Sequence, residues 1–193
     1  MIVILMGVTG TGKTTIGKLV SSRNGWPFAE GDDYHSEANR AKMHSGVPLN
    51  DEDRAPWLLS LHEVLTGWAD RDGSGILACS ALKQAYRDTL TGGLPAGSWR
   101  FVLLHLPREQ VAERLNGRAE HFMNPALLET QFATLETPSD ALIVAAEGTS
   151  EETVELVLEG LGMRGQAAPS TVSVRTSVRP NSTAAAATIV GSR

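Results

Sequence analysis

The chain has one cysteine, Cys79, in 193 residues. No intrachain disulfide can staple it, so a small disulfide-built secreted scaffold is excluded and a reducing cytoplasm is the expected compartment. It has no excess of base: 17 Lys and Arg stand against 22 Asp and Glu, a net charge of −5. With only 5% aromatic residues, it also has no basic patch interleaved with aromatics, and nucleic acid is not an expected partner. Long apolar runs are missing as well. Met1–Met6 is apolar but only six residues long and follows no basic segment, so it is not a signal peptide, and no run approaches the roughly 20 residues of a membrane span. Internal repeats and the familiar spacings of metal sites, nucleophile triads and redox pairs are absent too.

What is present suits one domain with a real core: 41% hydrophobic and 20% charged residues, in a length that one domain accommodates. The charge is uneven. Residues 164–193 hold Arg164, Arg175, Arg179 and Arg193 and no acid. This stretch is rich in Ala, Ser, Thr, Val and Pro and has no periodicity, which predicts a disordered tail (164–193) behind a folded domain (1–163).

Within that domain, short apolar runs alternate with helical patterns. Residues 1–6, 27–30, 75–81, 100–106 and 141–145 read as buried strands. Helices are expected at 13–23, stopped by Asn24-Gly25; at 37–44; from Pro56, with Leu58, Leu61, Leu65 and Trp68 on one face; at 83–90; from Pro107 at the first helical position to 115; at 125–135; and after a capping box, Thr149 to Glu152. The order βαβα predicts an α/β fold, a five-stranded parallel sheet with helices on both faces.

Gly7-Val8-Thr9-Gly10-Thr11-Gly12-Lys13-Thr14 fits G-x-x-x-x-G-K-[ST] at every fixed position, between a predicted strand and a predicted helix. Glycines let successive backbone N–H groups converge on one anion, and the helix N-terminus adds its positive end. Lys13 can reach the β- and γ-phosphates and the Thr14 hydroxyl can ligate Mg²⁺, so ATP and Mg²⁺ are the expected cofactors of a P-loop NTPase fold.

The acceptor is sought at the carboxyl ends of the other strands. Asp32 and Asp33 follow the second strand; one carboxylate could take a hydroxyl proton while the other caps a turn, and Asp32 is favoured for the chemistry. His35 could bond a hydroxyl. Lys42 and Arg54 lie in a polar insertion, where a bidentate arginine would suit a carboxylate. Lys83, and with it Arg87, could meet an anionic substrate after the third strand. Cys79 reads as a buried filler and the tryptophans as packing residues; His62 reads as a surface or interface residue. Arg114 and Arg118 bracket Leu115-Asn116-Gly117, a segment suited to a mobile lid whose cation neutralises the transferring phosphoryl group; either arginine fits.

Taken together, five stretches resemble the gluconokinases, small P-loop kinases related to shikimate kinase: Met6–Thr15; Glu30-Gly-Asp-Asp-Tyr-His35 with Asn39 and Lys42-Met43; Gly46-Val-Pro-Leu-Asn-Asp-Glu-Asp-Arg-Ala-Pro-Trp57; Ala78-Cys-Ser-Ala-Leu-Lys83 with Tyr86-Arg87-Asp88; and His121-Phe-Met123 with Gln131-Phe-Ala-Thr-Leu-Glu136. They occur in family order across about residues 1–162. The resemblance implies transfer of the ATP γ-phosphate to the 6-hydroxyl of D-gluconate, a homodimer, and no membrane or nucleic-acid partner. Carried onto this chain, it assigns nucleotide contacts to Gly7, Val8, Thr9, Gly10, Thr11, Gly12, Lys13, Thr14, Thr15 and Arg114. It assigns catalysis to Lys13, Asp32 and Arg118, and substrate contacts to Asp32, His35, Lys42, Arg54, Lys83 and Gln131. Ala145-Ala146-Glu147-Gly148 departs from the family, where Asp is frequent after the fifth strand. Two other readings stand beside it. A kinase for shikimate would carry a Gly-Gly-Gly stretch where this chain has Cys79-Ser80-Ala81; an ATP-binding sensor would turn over no acceptor.

Overall fold

The central strand is β1, Ile2–Met6, and all five of its side chains are buried. A continuous apolar run of this kind suits a strand covered on both faces. In the computed structural model, which describes residues 1–71, 73–117 and 125–163, β1 lies in a five-stranded sheet with β2 (Phe28–Glu30), β3 (Gly75–Ala78), β4 (Trp99–His105) and β5 (Leu142–Ala145). The order is β2-β3-β1-β4-β5 and all pairings are parallel. Seven helices are described: α1 (Lys13–Asn24), α2 (Glu37–His44), α3 (Asp51–Ala69), α4 (Gln84–Thr91), α5 (Arg108–Asn116), α6 (Pro125–Thr134) and α7 (Ser150–Gly160). The expected α/β architecture is present.

Alternation along β1 divides the core. Ile2, Ile4 and Met6 pack with Trp57, Leu61 and Leu65 of α3 and Leu90 of α4. Val3 and Leu5 pack with Ile16 and Val20 of α1 and Val154 and Val157 of α7. Full burial of each such side chain contributes about 1.5–3 kcal/mol, so the α3 stripe alone outweighs any surface ion pair. A third cluster sits at the carboxyl edge and joins Val8, Leu82, Leu106, Val111, Leu115 and Leu128.

Several boundaries shift by a residue or more from expectation. The helix expected from Pro56 begins five residues earlier. Asn50 accepts from the Asp53 N–H and the Asp53 carboxylate accepts from the Asn50 N–H, a capping box that starts α3 at Asp51. Pro56 is the sixth residue of α3 and forfeits the backbone bond to the Glu52 carbonyl, a cost the helix bears through its buried stripe of Trp57, Leu58, Leu61, Leu65 and Trp68. Pro107 is the N-cap of α5, one residue before the first position. The third strand ends at Ala78, not Ala81, and Ala81 itself turns into the left-handed region at φ 44°. By contrast, α2 and the Thr149–Glu152 capping box of α7 stand where the sequence placed them.

The register sets the site. Leu5 pairs with Ala78, and Ala78 with Glu30. The chain therefore leaves β1, β2 and β3 at one level, on one edge. From β1 the chain crosses towards β2, and from β4 towards β5, so β1 and β4 flank the switch point where such sheets open a ligand crevice. The expected tail, 164–193, lies outside the described residues.

Candidate active site

The glycine loop is closed by its own groups. Gly7 has φ +132°, and a Cβ there would lie 2.8 Å from the Leu104 carbonyl oxygen, so only glycine lets the chain leave the sheet beside β4. Gly12, at φ 96°, is the left-handed N-cap of α1. The Thr11 hydroxyl donates to the Val8 carbonyl at 2.9 Å, and Lys13 Nζ donates to the carbonyls of Gly7 and Val8, both at 2.9 Å. No acid occupies the first turn of α1, so its positive end is left for an anion. Beside the loop is a cleft of about 190 Å³, walled by Gly10, Gly12, Thr15, Arg114, Gly148 and Thr153 among others. Arg114 reaches it from α5 and donates to the Ala146 carbonyl at 2.6 Å.

Carboxylates face the loop from β2. The Thr14 hydroxyl donates to Glu30 Oε2 at 2.6 Å. Burial pushes the Glu30 carboxyl up from its ordinary range, and the Thr14 bond opposes this in part. Burial likewise pushes the Lys13 ammonium down, and the charges of Asp32 and Glu30 oppose this in part. The Cys79 thiol is pushed up to about 12 by burial, which makes it the inert filler expected.

Asp32 stands on a single 3₁₀ turn, Gly31–Tyr34, that follows β2 directly. Its carboxylate is open to solvent and lies 4.0 Å from His35 Nε2. The neighbouring Asp33 instead offers its carbonyl to Arg40 at 3.2 Å. Of the two adjacent acids, Asp32 is the one whose charge reaches Lys13, Glu30 and His35. The turn is held from α3. Trp57 Nε1 donates to the Gly31 carbonyl at 2.8 Å, and the Trp57 ring stacks on His35 at 4.4 Å between centroids. His35 is 5% exposed, so burial pushes its imidazolium down and keeps it neutral. Its Nδ1 has no partner among the described residues.

The expected substrate cations divide into two kinds. Lys42 pairs with Asp53 at 2.6 Å, and Lys83 lies 2.8 Å from both oxygens of Asp51, which also accepts from the Tyr86 hydroxyl. Arg54, in the first turn of α3, makes no ion pair among the described residues. Its Nε donates to the Leu49 carbonyl at 3.3 Å and its guanidinium lies 5.7 Å from the Tyr86 ring centroid. Arg87 does not face a substrate: it is 2% exposed and donates to the carbonyls of Ala81 and Leu82, which pins the left-handed turn before Lys83. Gln131 is not among the acceptor-side groups either. Its Oε1 accepts from the Thr9 N–H of the glycine loop at 2.8 Å. His62 is half-buried and bonded to the Leu90 carbonyl, not a free surface residue. Arg118 and His121, with the expected lid, lie outside the described residues.

Comparison with known proteins shows the family. Residues 9–159 match the shikimate kinase family model. A probable gluconokinase of Rattus norvegicus is 42% identical over 179 residues, covering 83% of this chain and 97% of that protein. The gluconokinase of Gluconobacter oxydans is 43% identical over 160 residues, covering 82% and 87%. The crystal structure of a gluconokinase from Sinorhizobium meliloti superposes with a TM-score of 0.76 at 40% identity, covering 83% and 90%. The chain belongs to the shikimate kinase family, in its gluconokinase group.

Three residues of this gluconokinase-group site carry more than the sequence reading gave them. Glu30 was legible as an acid at a strand end but is brought to Thr14 only by β2 pairing with β3. Asp51 is one of three acids at the start of α3, and nothing local says that it, and not Glu52, meets Lys83. Trp57, expected only to pack, also holds the turn that carries Asp32.

Proposed function

We propose that the chain is a gluconokinase that transfers the γ-phosphoryl group of ATP to the 6-hydroxyl of D-gluconate, giving 6-phospho-D-gluconate and ADP. The observation that carries this reading is the meeting of two chemistries on one sheet edge: a glycine loop with Lys13 and Thr14, and across it the open Asp32 carboxylate and Arg54, which has no carboxylate partner among the described residues. In this reading the hydroxyl oxygen attacks Pγ, the bond from Pγ to the β–γ bridging oxygen breaks, and ADP leaves. Phosphoryl transfer runs through a loose transition state, so positioning and charge do most of the work.

The loop residues Gly7–Thr15 hold the phosphates, with Lys13 on their β- and γ-oxygens. Arg114 lines the nucleotide cleft, and Arg118 serves as the cation over the transferring group. Asp32 orients the acceptor hydroxyl and takes its proton, with the neutral His35 beside it as a hydroxyl partner. Arg54 grips the gluconate carboxylate, flanked by Lys42 and Lys83. Thr14, with the Glu30 carboxylate beside it, presents oxygen donors of the kind Mg²⁺ takes when it is shared with phosphates, and that ion would supply positive charge to the phosphate oxygens. The same reading has a cytoplasmic homodimer, with a kinase domain at 1–163, that works apart from nucleic acid and membranes. Among the described residues no helix is long and apolar enough to cross a bilayer.

ADP release from Mg-ATP, measured with D-gluconate, shikimate and nucleoside monophosphates in turn, tests the reading. Release with gluconate alone is expected. Release with a different acceptor only, or ATP binding with no acceptor-dependent release, would overturn it.

A further inference from the structure

Helix α6 touches both halves of the crevice. On the donor side, Gln131 Oε1 accepts from the Thr9 N–H at 2.8 Å. On the acceptor side, Glu136, two residues beyond α6, donates its N–H to the Leu82 carbonyl at 2.9 Å, and its Oε2 accepts from the Gln84 N–H at 2.5 Å. Gln84 is the first residue of α4, and the N-cap Lys83 supplies no side-chain cap of its own. The Glu136 carboxylate therefore fills that role, where a negative charge at a helix N-terminus is favourable. Between these two points, Leu128 packs in one cluster with Val8 of the glycine loop and Leu82 of the acceptor turn, and Phe132 and Leu135 pack against it. The short stretch from Gln131 to Glu136 thus bonds the loop that carries Lys13 to the turn that carries Lys83.

We infer that Gln131 is a positioning residue for phosphoryl transfer: it fixes the Thr9 corner of the glycine loop and, with Glu136, sets the separation of donor and acceptor. The inference rests on the kinase reading above but replaces the expected contact of Gln131 with substrate. The physical ground is the orientation of the bond. A backbone N–H of a loop that must present its amides to an anion is satisfied by a neutral side-chain carbonyl from another element, and this fixes that peptide's plane without adding charge. Alignment errors of about 1 Å can cost about 10²-fold in rate.

The test is Gln131→Met, which keeps length and flexibility and removes the acceptor, with Gln131→Glu as the conservative variant that retains an acceptor oxygen. In the intact chain, Gln131→Met is expected to lower kcat by about 10–100-fold while the KM values for ATP and gluconate stay within about threefold. The Thr9 amide should lose protection from hydrogen exchange, read by NMR without turnover, and Gln131→Glu should restore that protection. Unchanged kcat, or unchanged Thr9 protection, in Gln131→Met would overturn the inference. A rise confined to the KM for gluconate would also overturn it and return Gln131 to substrate binding. Absence of gluconate-dependent turnover in the wild type would instead remove the kinase reading, and the Thr9 exchange result would still decide the bond.

Discussion

The donor and acceptor sides of the crevice are built by different means. The donor side is one contiguous stretch, Gly7–Thr15, whose shape follows from glycine torsions, from side chains bonded to carbonyls three to six residues away, and from the helix it opens. The acceptor side is assembled from α2, the start of α3, and the turns after β2 and β3. It is held by pairs far apart in sequence: Lys42 with Asp53, Asp51 with Lys83, Trp57 with Gly31 and Asn39 with the Asp53 carbonyl. Anion binding by backbone amides needs a local fold. Recognition of a polyhydroxy acid needs charges and donors at several separated points, which a single loop cannot supply. Arg54 stands out on that side because its neighbours Lys42 and Lys83 already have carboxylate partners.

Substitutions can break this contrast, and the largest effect is expected on the donor side. Lys13→Met should lower kcat by about 10³-fold or more, because a preorganised cation near developing charge is lost; steady-state kinetics, with far-UV circular dichroism as the fold control, check it. On the acceptor side, Asp32→Asn should lower kcat by about 10²–10⁴-fold with little change in the KM for ATP, measured by ADP release at saturating gluconate. Near-normal turnover would remove Asp32 from the site. Arg54→Ala should raise the KM for gluconate by about tenfold to a hundredfold, the loss of one charge-assisted contact of about 1.5–3 kcal/mol. Its KM for ATP should hold, and an equal rise in both would deny the division between the two sides.

The smallest expected effect concerns His35. Its ordinary pKa is 6.5, and burial lowers it in the folded chain. Below 6.5 the unfolded chain therefore binds a proton that the native state refuses. Stability from this residue is complete above 6.5 and falls as the pH drops towards the folded value. His35→Phe keeps an aromatic face for Trp57 and removes the titration, so urea midpoints measured from about pH 7.5 down to pH 5 should decline less steeply than in the wild type. Parallel profiles would show that His35 is not the group responsible.

Particular elements show how much of this was legible beforehand. The strands and α1 were readable because continuous apolar runs and the Asn24-Gly25 stop leave little choice. The start of α3 was misplaced because Pro56 is the louder signal, although Asn50 and Asp53 already carried the spacing of a capping box. Asp32 could be preferred to Asp33 from position alone, but its closeness to Lys13 depends on the register of β2 against β3. Arg87 was a candidate for an anionic substrate by its charge after the third strand, and Gln131 was one only through the family resemblance. What they bond, two carbonyls of a strained turn and one amide of the glycine loop, is not written in their neighbours.

By itself the sequence determined the parallel α/β class, the phosphate loop and the set of charged residues available to an acceptor, because periodicity and short motifs express local torsions and burial. Only the tertiary structure decided which of those charges are already paired, which carboxylate faces Lys13, and that α6 joins the two sides. Ion pairs and backbone contacts between distant segments depend on strand order and register, and no local pattern encodes them.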